Sequence, residues 1–269
     1  MKSLEDKIAI ITGAGDGIGQ AIAVAFAMEG ATIVVPDLNP EAASRTAREI
    51  TDLGQKSLAI EADVSERNQV EKIFDRTMDT FGKVDILVNN AGTTHPAVSI
   101  LDLDLEYLDK IFAVDYKGVY LCCRRAGREM VRRKSGCIIN ISSIAGLTPL
   151  PLPMYGPMKS AVNMLTRILA REWAQHNVRV NAIAPGYVMT PLIKGMIENG
   201  QRDPELLLER IPMGSMSDPT DIAGAALFLA SHQARHITGT ILPVEGGWLT
   251  DGGWSAYKQE PTRNGPVKI

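Results

Sequence analysis

Ile8-Ala-Ile-Ile-Thr12-Gly13-Ala-Gly15-Asp16-Gly17-Ile18-Gly19 is the stretch whose reading decides the fold. Its first four residues form a short apolar run of β-branched character, the pattern of a buried strand. Four glycines then crowd into a turn, and residues 20–29 continue as an amphipathic helix. Strand, glycine turn and helix in that order let a backbone approach a pyrophosphate closely and seat it on the helix N-terminus. The spacing is Thr12-Gly13-x-x-x-Gly17-x-Gly19, with Gly15 as an extra glycine, rather than G-x-G-x-x-G.

Working outward, the same alternation repeats. Strands are expected at 32–35, 57–60, 84–88, 136–141, 177–184 and 240–244. Helices are expected at 41–53, 66–81, 104–133, from Tyr155 through Trp173, and at 219–231. Strands alternating with helices over short loops mean βαβ units, so the fold class is α/β. The expectation is a single Rossmann-type, doubly wound parallel sheet of about seven strands with helices on both faces. No linker divides the chain, and residues 1–269 read as one domain. Two regions break the alternation: 187–217, long enough to be a substrate lid, and a tail from Trp248.

Composition sets bounds on function. Of 269 residues, 45% are hydrophobic and 22% charged, ordinary globular values. A net charge of −3 argues against a nucleic-acid or anionic-membrane partner. The one basic cluster, Arg124 to Lys134, falls at a helix end, where it reads as a solvated face. Three cysteines make no disulfide framework and suit a reducing compartment. With no apolar signal core at the start and no run of about 18 apolar residues, a cytoplasmic protein without a membrane span is expected. No metal-ligand pattern is present.

The chemistry concentrates after the fifth strand. Tyr155 and Lys159 are four apart, so on a helix they share a face. A free tyrosine hydroxyl ionises near ~10, and a cation beside it favours the phenolate. Ser142 and Ser143 stand at the preceding strand end, where one can hold a substrate oxygen. Asp37 closes the second strand about 20 residues after the glycine turn, where a carboxylate accepts from a ribose 2′-hydroxyl and repels a 2′-phosphate. Neither Asp16 nor Leu38 supplies a balancing cation. A helix-capping role for Asp37 stays open, as does a loop Asx turn for Asp63.

Taken together, the glycine spacing, Asn89-Asn90-Ala91-Gly92, Ser143 and Tyr155-x-x-x-Lys159 resemble the classical short-chain dehydrogenase/reductase family, from about Lys7 to Gly247. The resemblance implies a nicotinamide cofactor, here NAD, and a homotetramer. It implies Tyr155 as acid/base, Lys159 on the ribose and beside the tyrosine, and Ser143 on the substrate oxygen. Gly13, Gly17 and Gly19 are placed round the pyrophosphate, Asp63 and Val64 beside the adenine, and Asn90 in the cofactor wall. Thr190, in Pro185-Gly186-Tyr187-Val188-Met-Thr190, matches the nicotinamide-amide contact. Asp16, Ile18, Ala91, Gly92, Pro185, Gly186 and Val188 complete the cofactor set.

Three departures stand out. Ser143 is one residue closer to Tyr155 than the family's commoner spacing, which Ser142 satisfies; Gly146 favours Ser143. Pro157 lies inside the Tyr-x-x-x-Lys motif, which is tolerated in a helix's first turn and puts the helix start no earlier than about Pro153. Asp115 stands where the family has a catalytic Asn and is taken into the catalytic set. The expected activity is an NAD-dependent oxidoreductase acting on a secondary alcohol or ketone. The alternatives are a non-redox epimerase or dehydratase and a catalytically impaired dinucleotide sensor. His95, Tyr187, Ala145, Leu147, Met154 and parts of 192–213 are expected round the substrate. Because that set is mostly apolar, a neutral small molecule is favoured.

Overall fold

The computed structural model describes residues 2–250. Seven parallel strands form one sheet in the order β3-β2-β1-β4-β5-β6-β7. They are β1 (Ile8–Ile11), β2 (Thr32–Asp37), β3 (Ser57–Glu61), β4 (Ile86–Asn89), β5 (Gly136–Ile141), β6 (Val178–Pro185) and β7 (Ile241–Val244). The order reverses between β1 and β4, whose register pairs Ala9 with Ile86. In open parallel sheets, ligands bind outside the strand ends at such a reversal.

The sheet is buried on both faces, and the strand alternation divides the core. From β1, Ala9 and Ile11 join Ile22 and Phe26 of α1 (Gly17–Met28) and Ile222 and Leu229 of α9 (Pro219–Ala230). Ile8 and Ile10 join the opposite layer with Phe74 of α3 (Arg67–Phe81), Val119 and Val162. A strand covered on both sides needs apolar residues at every position, which is why β1 reads as a continuous run.

Helix starts are set by local chemistry. Asn39, Asp203 and Asp218 accept backbone N–H bonds at the starts of α2 (Pro40–Asp52), α8 (Pro204–Glu209) and α9, each followed by a proline. Thr190 and Pro191 do the same for α7 (Pro191–Glu198). A capping oxygen satisfies an N–H left unpaired by the helix, and proline has none to leave unpaired. The segment 187–217 therefore holds two short helices and a bridge between Val188 and Ser217, more structure than its insertion-like pattern suggested.

The long helix expected over 104–133 is divided. It runs as α4 (Glu106–Ile111), a π-helical turn over Phe112–Gly118, and α5 (Val119–Arg133). The wider turn holds Asp115 fully buried, and Gly118 lies against Val64, where a Cβ would come within 3.0 Å of Val64 Cγ2. Single π turns inside α-helices occur frequently at functional sites. α6 starts at Tyr155 and runs to Trp173, so Pro157 falls in its first turn.

In the basic cluster, Arg125, Arg132 and Arg133 are engaged by Glu71, Asp75, Asp85 and Glu129. Among the described residues, no helix is long and apolar enough to cross a membrane. The tail expected from Trp248 has one 3-10 turn, Trp248–Thr250; its remainder lies outside the described residues.

Candidate active site

At the carboxyl ends of β1, β4, β5 and β6 lies a cavity of about 360 Å³. It brings together Asp16, Gly17, Ile18, Asn90, Gly92, Asp115, Ser143, Tyr155, Lys159, Pro185, Gly186, Tyr187, Val188 and Thr190 from the sequence-derived set. Gly13, Gly19, Asp37, Asp63, Val64, Ala91 and His95 do not line it.

The glycine turn is shaped by contacts within the protein. A Cβ on Gly19 would collide with the Gly13 carbonyl oxygen and the Asn90 amide, and one on Gly13 would lie 2.9 Å from Ala91 Cα. Gly15, which looked superfluous, is equally constrained: its Cβ would meet Ala42 at 2.6 Å and Asp37 Oδ2 at 2.8 Å. Thr12 Oγ1 accepts from the N–H groups of Asn90 and Ala91, and Asn90 Nδ2 donates back to the Thr12 and Gly13 carbonyls. Asn90 thus works as a clasp between the two central strand ends.

Whether this turn suits a dinucleotide can be tested on its free groups. Gly17 N–H donates to Asp16 Oδ1 at 2.6 Å, while the Ile18 and Gly19 N–H groups have no acceptor among the described residues. Unpaired N–H groups at the start of a twelve-residue helix form an anion-binding end. Asp37 Oδ2 accepts from Gly15 N at 2.8 Å and Oδ1 from Asn39 N at 2.9 Å. The capping alternative does not hold, since Asn39 caps α2; Asp37 instead ties the glycine turn to the residue before that helix, and each oxygen keeps lone-pair capacity for a ribose hydroxyl. Asp63 Oδ1 accepts from Ser65 N in an Asx turn.

Beneath the cavity, Lys159 is buried. Its ammonium lies 3.0 Å from Asp115 Oδ1, donates to the Ile141 carbonyl at 3.2 Å, and sits 5.3 Å from the centre of the Tyr155 ring. Burial on its own would lower the lysine pKa, but the Asp115 charge, helped by Tyr155, outweighs it and holds the value above 10.5. Asp115 Oδ2 also accepts from Thr93 N. Gly92 is glycine for this pair's sake, since a Cβ there would lie 2.9 Å from Asp115 Oδ1.

The two serines differ in what their hydroxyls do. Ser142 is buried and donates to the Lys159 carbonyl at 3.3 Å. Ser143 Oγ accepts from Ala145 N at 3.1 Å, which leaves its proton available to the cavity. The Ile144–Gly146 turn packs hard on α6: Cβ atoms on Gly146 or Gly156 would lie 2.7 Å from Lys159 C and 2.9 Å from the Ala145 carbonyl. That contact sets Ser143 against the Tyr155 helix.

His95 is a correction: it is no part of the cavity wall. Its ring is buried, and Nε2 accepts from Met154 N and Tyr155 N at 3.3 and 3.4 Å. The proton is therefore on Nδ1, donated to the Pro96 carbonyl at 2.7 Å. His95 caps the very helix that begins at Tyr155, where no local side chain does so. Met154 is buried beside it and Leu147 is exposed away from the cavity; the apolar wall comes from Ile144, Leu150, Leu152, Leu192, Ile193 and Met196.

Comparison with known proteins gives the same class. The family profile described as enoyl-(acyl carrier protein) reductase matches residues 13–249. A 3β-hydroxysteroid dehydrogenase of Eggerthella lenta is 41% identical over 252 residues, covering 91% of this chain and 94% of that protein. A putative 2-deoxy-D-gluconate 3-dehydrogenase from Agrobacterium tumefaciens, solved with NADP, superposes with a TM-score of 0.84 at 34% identity, over 92% and 98% of the two chains. A 7α-hydroxysteroid dehydrogenase, solved with NADH and 7-oxo glycochenodeoxycholic acid, gives 0.85 at 35%, over 91% and 94%. The chain belongs to the short-chain dehydrogenase/reductase family, whose members use a nicotinamide dinucleotide in oxidoreduction.

Proposed function

We propose that this chain is an NAD-dependent oxidoreductase acting on a secondary alcohol or the corresponding ketone. The observation that carries the reading is the convergence of Tyr155, the charged Lys159 and the free Ser143 proton on one cavity. When bound, the nicotinamide accepts or supplies the hydride. Ser143 donates to the substrate oxygen and fixes its position. Tyr155 takes the hydroxyl proton in oxidation and returns it in reduction. The Lys159 ammonium stabilises negative charge on the tyrosine oxygen, and its third N–H is free for a ribose hydroxyl. Asp115 keeps that lysine charged, the role taken here in place of the family's Asn.

NAD is favoured over NADP because a 2′-phosphate would face the Asp37 carboxylate with no cation in the turn. Repulsion and the lost 2′-hydroxyl bond together amount to about 2–4 kcal/mol, roughly 30- to 1000-fold. Gly13, Gly17, Ile18 and Gly19 form the proposed pyrophosphate cradle, with Asp63 and Val64 beside the adenine and Thr190 at the nicotinamide amide. Segment 187–217 acts as the substrate lid within a single 1–269 domain. Exposed Leu108, Phe112, Tyr120, Met164 and Ile168 on α4, the π turn, α5 and α6 support self-association, which we assign to a homotetramer.

Purified protein mixed with NAD and a panel of secondary alcohols, with reduced cofactor followed by absorbance, tests the activity. Turnover is expected, and Tyr155→Phe should lower kcat by about 10²- to 10⁴-fold while NAD binding stays within a few-fold. NAD binding without turnover of any alcohol or ketone in the panel would refute the reading.

A further inference from the structure

We infer that the substrate of this cavity carries a carboxylate, held by Arg202. The inference rests on the alcohol/ketone reading of the same site and specifies the other end of the molecule being converted. Arg202 lies between α7 and α8, is partly buried, and lines the cavity with Tyr155 and Ser143. Its side chain makes no hydrogen bond or ion pair among the described residues.

Its isolation is not for want of acids nearby in the chain. Asp203 is turned to its own helix, accepting from Glu205 N at 2.9 Å, and Glu198 faces Lys194 at 4.0 Å. Within the cavity, Asp115 is matched by Lys159, and Asp16 is drawn to Gly17 N at the glycine turn. Arg202 is therefore the cavity's one charged group without a local partner among the described residues.

A guanidinium partly withdrawn from water loses hydration that nothing among the described residues replaces. Its planar fork matches a carboxylate through two parallel N–H···O bonds, geometry a hydroxyl or an amide cannot reproduce. Much of the remaining wall is apolar, from Leu150, Leu152, Leu192, Ile193 and Met196. The site therefore reads as a hydroxyl or ketone end for Tyr155 and Ser143, an apolar body, and an anionic end for Arg202. This revises the neutral substrate expected from the apolar residues alone, which a sequence reading counts without seeing which cation joins them.

The test uses matched pairs. Hydroxylated cyclohexanecarboxylate, hexanoate and cholanoate are each compared with their primary amides as substrates with NAD. Their non-hydroxylated parents are compared in calorimetric binding to the NAD-saturated protein. For at least one pair, the wild type should prefer the carboxylate by about 10- to 100-fold in kcat/KM, mainly through KM, and in binding. Arg202→Gln should bring both ratios to within about threefold, and Arg202→Lys should keep part of the preference, because a point charge remains without the fork. Carboxylate and amide treated alike by the wild type in every pair, or a ratio unchanged in Arg202→Gln, would overturn the inference. Arg202-dependent carboxylate binding with no turnover would uphold it and refute the redox reading. Turnover without carboxylate preference would do the reverse.

Discussion

The two ends of the cavity are built on opposite principles. At the glycine turn, α1 buries Gly19, Ile22, Ala23, Phe26 and Ala27, and three of the four turn glycines sit where a Cβ would strike neighbouring atoms. Across the cavity, α7 and α8 bury no residue at all and are fixed chiefly by their caps. Added Cβ atoms on Gly195 and Gly200 would meet nothing within 4 Å. One side is closely packed; the other has no fully buried residue in either of its helices, the low end of local stability. That contrast suits a site that must present one invariant cofactor and close over a variable substrate.

The largest effect is expected where the packed side holds its buried charges. Asp115→Ala leaves Lys159 without its counter-charge and Thr93 N–H without an acceptor, a loss of about 3–5 kcal/mol in denaturant titration. Asp115→Asn keeps an acceptor and should hold activity within about tenfold, ~1.4 kcal/mol. The pH dependence has a definite sign. Because Asp115 holds the folded pKa of Lys159 above 10.5, its stabilisation is complete below 10.5 and is lost as pH rises through the folded value. In Asp115→Asn burial is no longer outweighed, so the folded value falls below 10.5 and the loss of stability at high pH should disappear, while the high-pH arm of alcohol oxidation should move down. Coincident arms in the two proteins would show that the pair does not act as described.

A matched glycine pair probes the contrast itself. Gly19→Ala should destabilise the fold by about 1–3 kcal/mol and weaken NAD binding. Gly195→Ala, in α7, should be neutral or stabilising by up to about 1 kcal/mol, with NAD binding unchanged. Equal thermal shifts in the same direction would mean that the two sides are not differently packed. The smallest effect is kinetic: NAD plus a substrate analogue should slow limited proteolysis within 187–217 and leave the rest of the digestion pattern alone. Unchanged cleavage there would remove the lid.

Much of this was legible in the sequence because the signals are local. Ile8–Ile11, the glycines and Tyr155-x-x-x-Lys159 depend on spacing alone, and they gave the sheet and the residues that meet at its edge. What escaped depends on distant partners. Gly15 is explained only by Ala42 and Asp37, and His95 caps α6 from 59 and 60 residues away. The π turn at Asp115 has the same apolar spacing as an ordinary helix, so periodicity could not reveal it. The two helices of 187–217 were readable after all, since Thr190-Pro191 and Asp203-Pro204 repeat the cap-plus-proline signal of Asn39-Pro40.

The central claim, a packed turn selecting NAD through Asp37, is tested most directly by kcat/KM for NAD and NADP with one alcohol substrate. The account predicts that NAD is favoured by roughly 30- to 1000-fold and that Asp37→Asn, which keeps an acceptor but removes the charge, narrows the gap. Values for the two cofactors within a few-fold of each other in the wild type would contradict it.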